Sequence, residues 1–231
     1  MPLLTPVEAE AVSTSLRVSL TAVAAGLVPA VLVGRILAGG PFRGRLLLAA
    51  LVYLPLVLPP VATGYALLLL FGRHGPLGAA IEALFGLVFA FRWTGAALAG
   101  AVMGFPLTVR AIQLGFEGVD RRLEQAAATL GASPFWVFLT VSLPLAAPSI
   151  AAGALLGFVK SLGEFGATIT FVSNIPGETR TLPVAMYTML QVPGEEASAI
   201  RIAVISVALS VAGLAAAELI GRRLRAGRTP L

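Results

Sequence analysis

The stretch EQAAATLG at residues 124–131, followed by LP at residues 143 and 144, decides how this sequence is interpreted. It belongs to the longest segment with polar and charged residues in a chain whose other long segments are apolar. A charged, helix-favouring insert between two apolar runs has to face water, because charge is costly inside lipid. The stretch therefore predicts a surface that a partner outside the membrane can dock on.

The composition around this stretch is that of a membrane protein. Hydrophobic residues make up 58% of the 231 residues and charged residues 12%, whereas a soluble domain has about 25% charged residues. We expect lipid to solvate much of the chain, which is one domain, residues 1–231, with no room for a separate catalytic domain. The sequence has no cysteine, which excludes disulfides, thiolate metal sites and cysteine nucleophiles.

Five apolar runs each reach the ~20 residues needed to cross the hydrocarbon of a bilayer. They are continuous and do not alternate with period two, which favours helices over barrel strands. The predicted spans are residues 16–37, 46–71, 93–112, 145–171 and 202–220. A shorter apolar stretch, residues 83–91, is a candidate for the membrane interface. The expected fold class is all-α, a polytopic membrane protein with about five transmembrane helices.

Glycine and proline add packing and hinge signals inside these spans. Small-residue pairs at Gly100/Gly104 and Gly153/Gly157 allow helix backbones to approach closely. Proline interrupts the second and third spans at Pro55, Pro59, Pro60 and Pro106. Both a tight bundle with kinks and a pore lined by broken helices agree with this pattern.

Arginine predicts the orientation. Five spans put the termini on opposite sides, and one side collects twice as many arginines as the other. The positive-inside rule makes the richer side cytoplasmic, together with the C-terminus and the residue 124 segment. Topology and a juxtamembrane anchor near lipid explain the net charge of +5, and no nucleic-acid partner is expected. The richer side has Arg35, Arg43, Arg45, Arg110, Arg121, Arg122, Arg222, Arg223, Arg225 and Arg228, and the other has Arg17, Arg73, Arg92, Arg180 and Arg201.

The cytoplasmic segment, about residues 115–144, predicts two short helices joined by a bend. Asp120 is a good N-cap for a helix that starts at Arg121 and ends near Leu130, and Gly131 suits a left-handed end. Ser133 and Pro134 are typical of a second helix start. Three alanines, residues 126–128, leave a flat face for a partner. The alternative is a plain amphipathic surface helix.

The fourth span contains two charges. Lys160 lies at a depth where a lysine costs roughly 2.5–3.5 kcal/mol, and Glu164 lies four residues later on the same helix face, so the two side chains can pair. Gly163 and Gly166 flank Glu164 and Phe165 and predict a break in the helix. Thr168 and Thr170 follow and could line a polar passage. The alternative is an ion pair at the membrane interface, whose side chains extend towards water and have no role in transport.

At these residues the sequence resembles a known family. Gln125-Ala126-Ala127, Gly131, Val141 and Leu143-Pro144 have the spacing of the EAA loop in permease subunits of ABC importers. Two positions depart from the pattern: glutamine stands where glutamate is usual, after Glu124, and valine replaces isoleucine. The departures leave open whether Glu124 or Gln125 makes the polar contact with the ATPase.

A second similarity is more local. The run from Ser161 through Gly163-Glu164-Phe165-Gly166 to Thr170, and then residues 174–183, resembles the molybdate-importer permeases. Sulfate permeases share the Gly-Glu-aromatic-Gly part of this pattern. The resemblance covers nearly the whole chain and implies the type I importer permease fold.

This resemblance implies a subunit of a larger transporter in the cytoplasmic membrane. Its expected partners are a second copy of the chain, two cytoplasmic ABC ATPases that use ATP and Mg, an external oxyanion-binding protein, and lipid. No catalytic residue, metal or cofactor is expected in this chain. It has no Gly-x-x-x-x-Gly-Lys-Ser/Thr loop to hold phosphate, so a partner must bind the ATP.

Three alternatives carry less weight. A sulfate or thiosulfate permease is the nearest. A stand-alone secondary transporter would use Lys160 and Glu164 as an ion relay, but no inverted repeat is visible between the halves of the sequence. A membrane enzyme lacks any nucleophile–base or metal constellation. The favoured hypothesis is an ATP-driven importer of molybdate or tungstate that works by alternating access.

Overall fold

A computed structural model describes residues 4–226, without the side chains of 217 and 220–226. Every regular element within these residues is helical. The eleven α-helices are α1 (Pro6–Ala38), α2 (Arg45–Val57), α3 (Pro60–Phe71), α4 (Pro76–Phe85), α5 (Trp93–Glu117), α6 (Arg121–Thr129), α7 (Pro134–Val137), α8 (Leu143–Leu162), α9 (Gly166–Val172), α10 (Leu182–Met189) and α11 (Glu196–Ala226), and a π-helical turn, Phe138–Ser142, joins α7 to α8.

Helix α1 begins ahead of the predicted span, at Pro6, because its first turn is capped. The Thr5 hydroxyl accepts a hydrogen bond from the Glu8 N–H, and the Glu8 carboxylate accepts one from the Thr5 N–H at 2.8 Å. This reciprocal capping box satisfies two donors at the helix start. Glu8 is buried and also forms an ion pair with Arg201 of α11 at 2.8 Å. The negative charge of Glu8, which lies before the predicted span, is therefore balanced by the positive charge of Arg201.

The second predicted span, residues 46–71, is a bent pair of helices. The helix axis bends by 116° between α2 and α3. Pro59 and Pro60 have no N–H to donate to the preceding turn, so the ladder of helical hydrogen bonds stops there. The N–H of Leu58 closes α2 on the carbonyl of Leu54, and α3 restarts with Pro60 in its first turn.

Helix α5 is the centre of the bundle and packs against both α1 and α8. Glycine makes these contacts close. A Cβ on Gly104 would lie 3.0 Å from the carbonyl oxygen of Gly157, and one on Gly34 would lie 2.8 Å from the Ile112 side chain. The structure thus uses the predicted Gly100/Gly104 and Gly153/Gly157 pairs to bring backbones together, as expected where lipid gives helices little hydrophobic reason to associate.

Among residues 4–226, four helices are long and apolar enough to cross a membrane, and the bent pair α2–α3 makes a fifth candidate. Helix α11 shows the lipid-facing pattern most clearly, because a stripe of its valines and leucines at helical spacing is exposed. A soluble monomer rarely leaves a contiguous apolar face of this length open. The stripe consists of Ile200, Val204, Val207, Val211 and Leu214.

Candidate functional site

Helix α6 forms where the sequence predicts it. The Asp120 carboxylate accepts a hydrogen bond from the N–H of Arg122 at 2.9 Å and caps the helix start. Gly131 has φ +88°, a left-handed conformation that ends the helix and that a side chain would strain. Its N–H reaches the carbonyl of Ala128 at 3.0 Å. Both ends of the helix are therefore fixed by local chemistry.

The second helix of the segment differs from the prediction. It starts at Pro134 with Ser133 as N-cap, but it is not a short separate helix across the membrane face. It continues through the π turn into α8 as one rod, residues 134–162. The N–H of Leu143 donates to the carbonyl of Phe138, one residue wider than an α-helical bond. Pro144 lacks an N–H, and the wide turn just before it accommodates that gap without breaking the helix.

Glu124 faces the inside of the chain. Its Oε1 atom accepts two hydrogen bonds, one from the Arg35 guanidinium at 3.0 Å and one from the Ser142 hydroxyl at 2.6 Å. Helix α6 is thereby fastened to the end of α1 and to the π turn. Gln125, the next residue, is exposed. Of the two residues that the sequence left open, Glu124 makes an internal contact and Gln125 is free to meet a partner.

The outward surface of this segment is apolar as well as basic. Leu130 is 89% exposed, and Leu123, Phe135 and Trp136 are also exposed. The predicted contact residues Ala126 and Ala128 are exposed beside them, Ala127 and Leu143 are half-buried, and Pro144 is exposed. Large aromatic and aliphatic side chains in the open are typical of a docking surface. We call residues 115–144 the coupling segment.

The predicted helix break is also present. Helix α8 ends at Leu162 and α9 begins at Gly166, and residues 163–165 between them form the helix break. Glu164 is 3% exposed and both of its oxygens are engaged: Lys160 Nζ lies 3.0 Å from one, and the N–H of Ala167 donates to the other at 2.9 Å. The carboxylate therefore neutralises the lysine and caps α9, as a carboxylate at a helix N-terminus does.

The helix break packs against the bend between α2 and α3. A Cβ on Gly166 would lie 2.7 Å from the Pro60 side chain, and one on Gly64 would lie 2.5 Å from the carbonyl oxygen of Ala167. The ring of Phe165 contacts that of Tyr187, with 4.9 Å between centroids. Two interrupted helices thus contact each other at their interruptions, so a movement of one backbone there must displace the other.

The hydroxyl groups around the helix break are unequally placed. Ser161 and Thr168 are buried, and the Ser161 hydroxyl has no hydrogen-bond partner within the described residues. Thr170 is half-buried and donates to the carbonyl of Gly166 at 2.8 Å. Lys160 is the partly exposed cation of the group, and Gly163 is exposed beside it. Within residues 4–226, no three His, Cys, Asp or Glu residues come together as a metal site.

Sequence reasoning did not find the residues that join these features. Arg35 is 89 positions from Glu124, and Ser142 is 18 positions from it. The close approach of Pro60 and Gly64 to Gly166 is equally remote in sequence. No local spacing reports such contacts. The sequence shows the prolines and glycines themselves, but it does not show which of them contact each other.

Comparison with known proteins identifies the class. Residues 30–226 match the family described as "Binding-protein-dependent transport system inner membrane component". The chain belongs to this family: it is a multi-pass inner-membrane subunit of a transport system, and the family is one of transport subunits rather than enzymes. The resemblance to ABC importer permeases that the coupling segment suggested is confirmed.

Curated relatives are similar along almost the whole chain. The molybdenum transport system permease protein ModB of Escherichia coli (strain K12) is 54% identical over 228 residues, 98% of this chain and 100% of that protein. The ModB protein of Haemophilus influenzae is 48% identical over 218 residues, 94% of this chain and 95% of that protein. A probable sulfate transport permease, cysT of Anthoceros angustus, is 31% identical over 209 residues, 90% of this chain and 72% of that protein.

Solved structures share the fold. A bacterial alginate ABC transporter, crystallised with its alginate-bound periplasmic protein, matches with a TM-score of 0.74 at 15% identity, over 98% of this chain and 82% of that chain. The MetNI methionine ABC transporter matches with a TM-score of 0.74 at 16% identity, over 94% and 96% of the two chains. The predicted all-α permease fold of type I importers is confirmed.

Proposed function

We propose that this chain is the membrane permease of an ATP-driven importer of molybdate, or of the closely similar tungstate. The high identity to ModB proteins along nearly the whole chain supports this substrate. A sulfate permease is the second candidate, supported by a relative of lower identity. In the proposed transporter two copies of the chain form the pore, two ATPases bind ATP and Mg at the cytoplasmic face, and an external binding protein delivers the oxyanion.

The observation that carries the ATPase part of this proposal is the exposed surface of the coupling segment. Leu130, Phe135 and Trp136 present apolar area beside Arg121 and Arg122, where the arginine count predicts the cytoplasm. The chain has no phosphate-binding loop of its own. A docked ATPase would cover these side chains, and Gln125 and Ala126 would lie within the contact.

The continuous helix from Pro134 to Leu162 suggests how force travels. Its 29 residues give a rod about 43 Å long at 1.5 Å per residue. The rod starts in the coupling segment and ends at the helix break. Closure of the ATPases would tilt it, and Glu124 would carry the same movement to α1 through Arg35. Movement of the break against the α2–α3 bend would then switch the pore between inward-open and outward-open states.

Lys160 is the residue that we propose meets the anion in the pore. Its ammonium has three donors and one of them is used by Glu164. Because Glu164 is paired with Lys160, the two charges together are neutral, and a dianion in the passage would meet the remaining N–H donors of the lysine rather than a net negative charge. Weak binding by one cation suits a path from which the ion must also leave.

The experiment that tests the function is reconstitution in proteoliposomes. The tagged chain is purified from native membranes and the co-purifying proteins are identified. Uptake of radioactive molybdate is then measured with the external binding protein added, with and without ATP, and with competing sulfate. We expect an ATPase to co-purify and uptake to need ATP and to resist excess sulfate. Uptake by the chain alone without ATP would support a secondary transporter instead, and equal competition by sulfate would support the sulfate permease.

A substitution locates the contact. Ala126→Arg places a long cation on the exposed face of α6, and we expect it to release the ATPase. Ala197→Arg is the matched control, since Ala197 is an exposed alanine in the first turn of α11, far from the coupling segment. If the two variants retain the ATPase equally, α6 is not the docking helix.

A further inference from the structure

A cavity with cationic side chains lies at the end of α5 remote from the coupling segment. It has a volume of about 670 Å³ and lies between the turn that joins α3 to α4 and the segment just before α5. Arg73, His74 and Arg92 line it, and no acidic residue does. We call it the Arg73 cavity. The three polar side chains in an otherwise apolar lining are hydrogen-bond donors, and the two guanidinium groups carry a fixed positive charge.

Arg73 differs from the other arginines predicted for this side of the membrane. Each of the other four has a partner, whereas within the described residues Arg73 has neither an ion pair nor a hydrogen bond. A guanidinium without a counter-charge is an open site for an oxyanion, because its planar fork of N–H groups matches two oxygens at once. The four pairs are Arg17 over the Trp93 ring, Arg92 with Glu178, Arg180 with Asn174, and Arg201 with Glu8.

The backbone that presents Arg73 is tightly packed. A Cβ on Gly75 would lie 2.5 Å from the carbonyl oxygen of Leu69, and one on Gly78 would overlap the carbonyl of Gly72. On the opposite wall Phe91 has φ +59°, a left-handed conformation that is unfavourable for an aromatic residue. Strained non-glycine residues cluster at ligand sites, where the surrounding structure holds them. The cavity therefore has a fixed shape.

The cavity wall is also connected to the helix break. Leu67, next to the wall residue Leu68, and the wall residue Ala90 belong to one buried cluster with Phe171 and Val172 of α9. Helix α9 starts at the break that Glu164 caps. The cavity wall thus packs directly on the helix that the proposed transport cycle moves.

We propose that the Arg73 cavity receives a tetrahedral oxyanion before it enters the pore, with Arg73 as the main ligand and Arg92 and His74 as further donors. This inference rests on the proposed function and adds a site to it. The volume has room for the anion with part of its hydration shell, which suits a site that passes the anion on. A concave site lined by one sign of charge can raise local anion encounter rates by about 10- to 1,000-fold.

The test uses the complete transporter, with its ATPase and binding protein, in nanodiscs. We expect Arg73→Gln to lower the maximal rate of molybdate-stimulated ATP hydrolysis roughly tenfold, with the half-saturating concentration of loaded binding protein unchanged. Arg73→Lys keeps the charge but not the planar fork, so it should recover only part of the rate. The matched control is Arg43→Gln, because Arg43 is also an exposed loop arginine without an ion pair or hydrogen bond among the described residues, but on the coupling side.

Three outcomes would overturn the inference. An unchanged maximal rate in Arg73→Gln would show that the cavity does not serve the anion. Weaker docking of the binding protein, equal for its empty and its loaded form, would assign Arg73 to a protein contact. A rate that follows the anionic-lipid content of the nanodisc rather than molybdate would assign it to lipid phosphate. Failure of the wild-type transporter to respond to molybdate would instead overturn the proposed function itself.

Discussion

Two glutamates, Glu124 in the coupling segment and Glu164 in the helix break, do the same physical work in different ways. Each carboxylate accepts two hydrogen bonds, and each pairs with a cation. Glu164 uses Lys160, four residues earlier, and the N–H of Ala167, three residues later. Glu124 uses Arg35 and Ser142, which belong to other helices. Glu164 therefore stabilises a local shape, and Glu124 holds separate helices together.

This difference has a functional consequence under the proposed mechanism. A locally closed unit such as Lys160–Glu164–Ala167 can move as one piece, because all its contacts travel with it. The Glu124 contacts cross between α6, α1 and the π turn, so relative motion of these helices would strain them. We expect substitution of Glu164 to act mainly on folding, and substitution of Glu124 to act mainly on the transfer of motion.

The largest effect is expected at Glu164. Glu164→Ala removes the cap of α9 and leaves the Lys160 ammonium without its counter-charge at membrane depth. Breaking a largely buried ion pair should lower the free energy of unfolding by on the order of 3 kcal/mol. The measurement is the thermal unfolding midpoint of the purified transporter in detergent.

A double variant separates charge from packing at this position. Lys160→Met with Glu164→Gln removes both charges and keeps an acceptor for the Ala167 N–H. It should be clearly more stable than Glu164→Ala. Equal stability of the two variants would mean that the ion pair is not what the break depends on.

These two glutamates also show what the sequence could predict. The Lys160–Glu164 pair, the glycines around it, the Asp120 cap and the left-handed turn at Gly131 all follow from spacings of a few residues, and the structure has each of them. The ion pair of Glu124 with Arg35 closes over 89 positions, so only the three-dimensional packing reveals it. The continuous rod from Pro134 to Leu162 was not predicted: the sequence indicated a short helix from Pro134 and a separate span from residue 145, whereas a π turn before Pro144 joins the two.

The next effect concerns the contact between the helix break and the α2–α3 bend. Gly64→Ala would place a Cβ 2.5 Å from the carbonyl oxygen of Ala167 and 2.8 Å from its Cα. Neither backbone atom can rotate away, so α3 and α9 must separate, at a cost of roughly 1–3 kcal/mol. We expect a lower unfolding midpoint and reduced uptake. Gly26→Ala is the matched control, since its Cβ would meet nothing within 4 Å.

The Glu124 contact should show a smaller stability effect and a distinct functional one. Glu124→Gln and Arg35→Gln should each cost roughly 1–2 kcal/mol, and the double variant should cost less than their sum because the two changes remove one shared contact. Molybdate transported per ATP hydrolysed should fall in all three, while the ATPase stays bound. Gln125→Ala is the contrast: it should leave stability unchanged and weaken ATPase co-purification. If Gln125→Ala instead lowers stability and Glu124→Gln weakens ATPase co-purification, Glu124 contacts the ATPase and Gln125 makes the internal contact.

The last effect is expected at Gly131, a local feature inside the coupling segment whose stability cost should not exceed that of the Glu124 contact. Its φ of +88° is unfavourable for any residue with a Cβ, and a Cβ there would meet no atom within 4 Å. Gly131→Ala should therefore cost about 1–2 kcal/mol from backbone conformation alone. Gly118→Ala is the control, because Gly118 has φ −80° and only ordinary contacts at 3.6 Å. Gly131→Ala could lower uptake far more than it lowers stability. That result would show that the angle between α6 and the rod transmits the motion, in addition to the rigidity of the rod. If Gly131→Ala lowers uptake no more than Gly118→Ala does, the motion is transmitted by the Glu124 contact and not by the turn at Gly131.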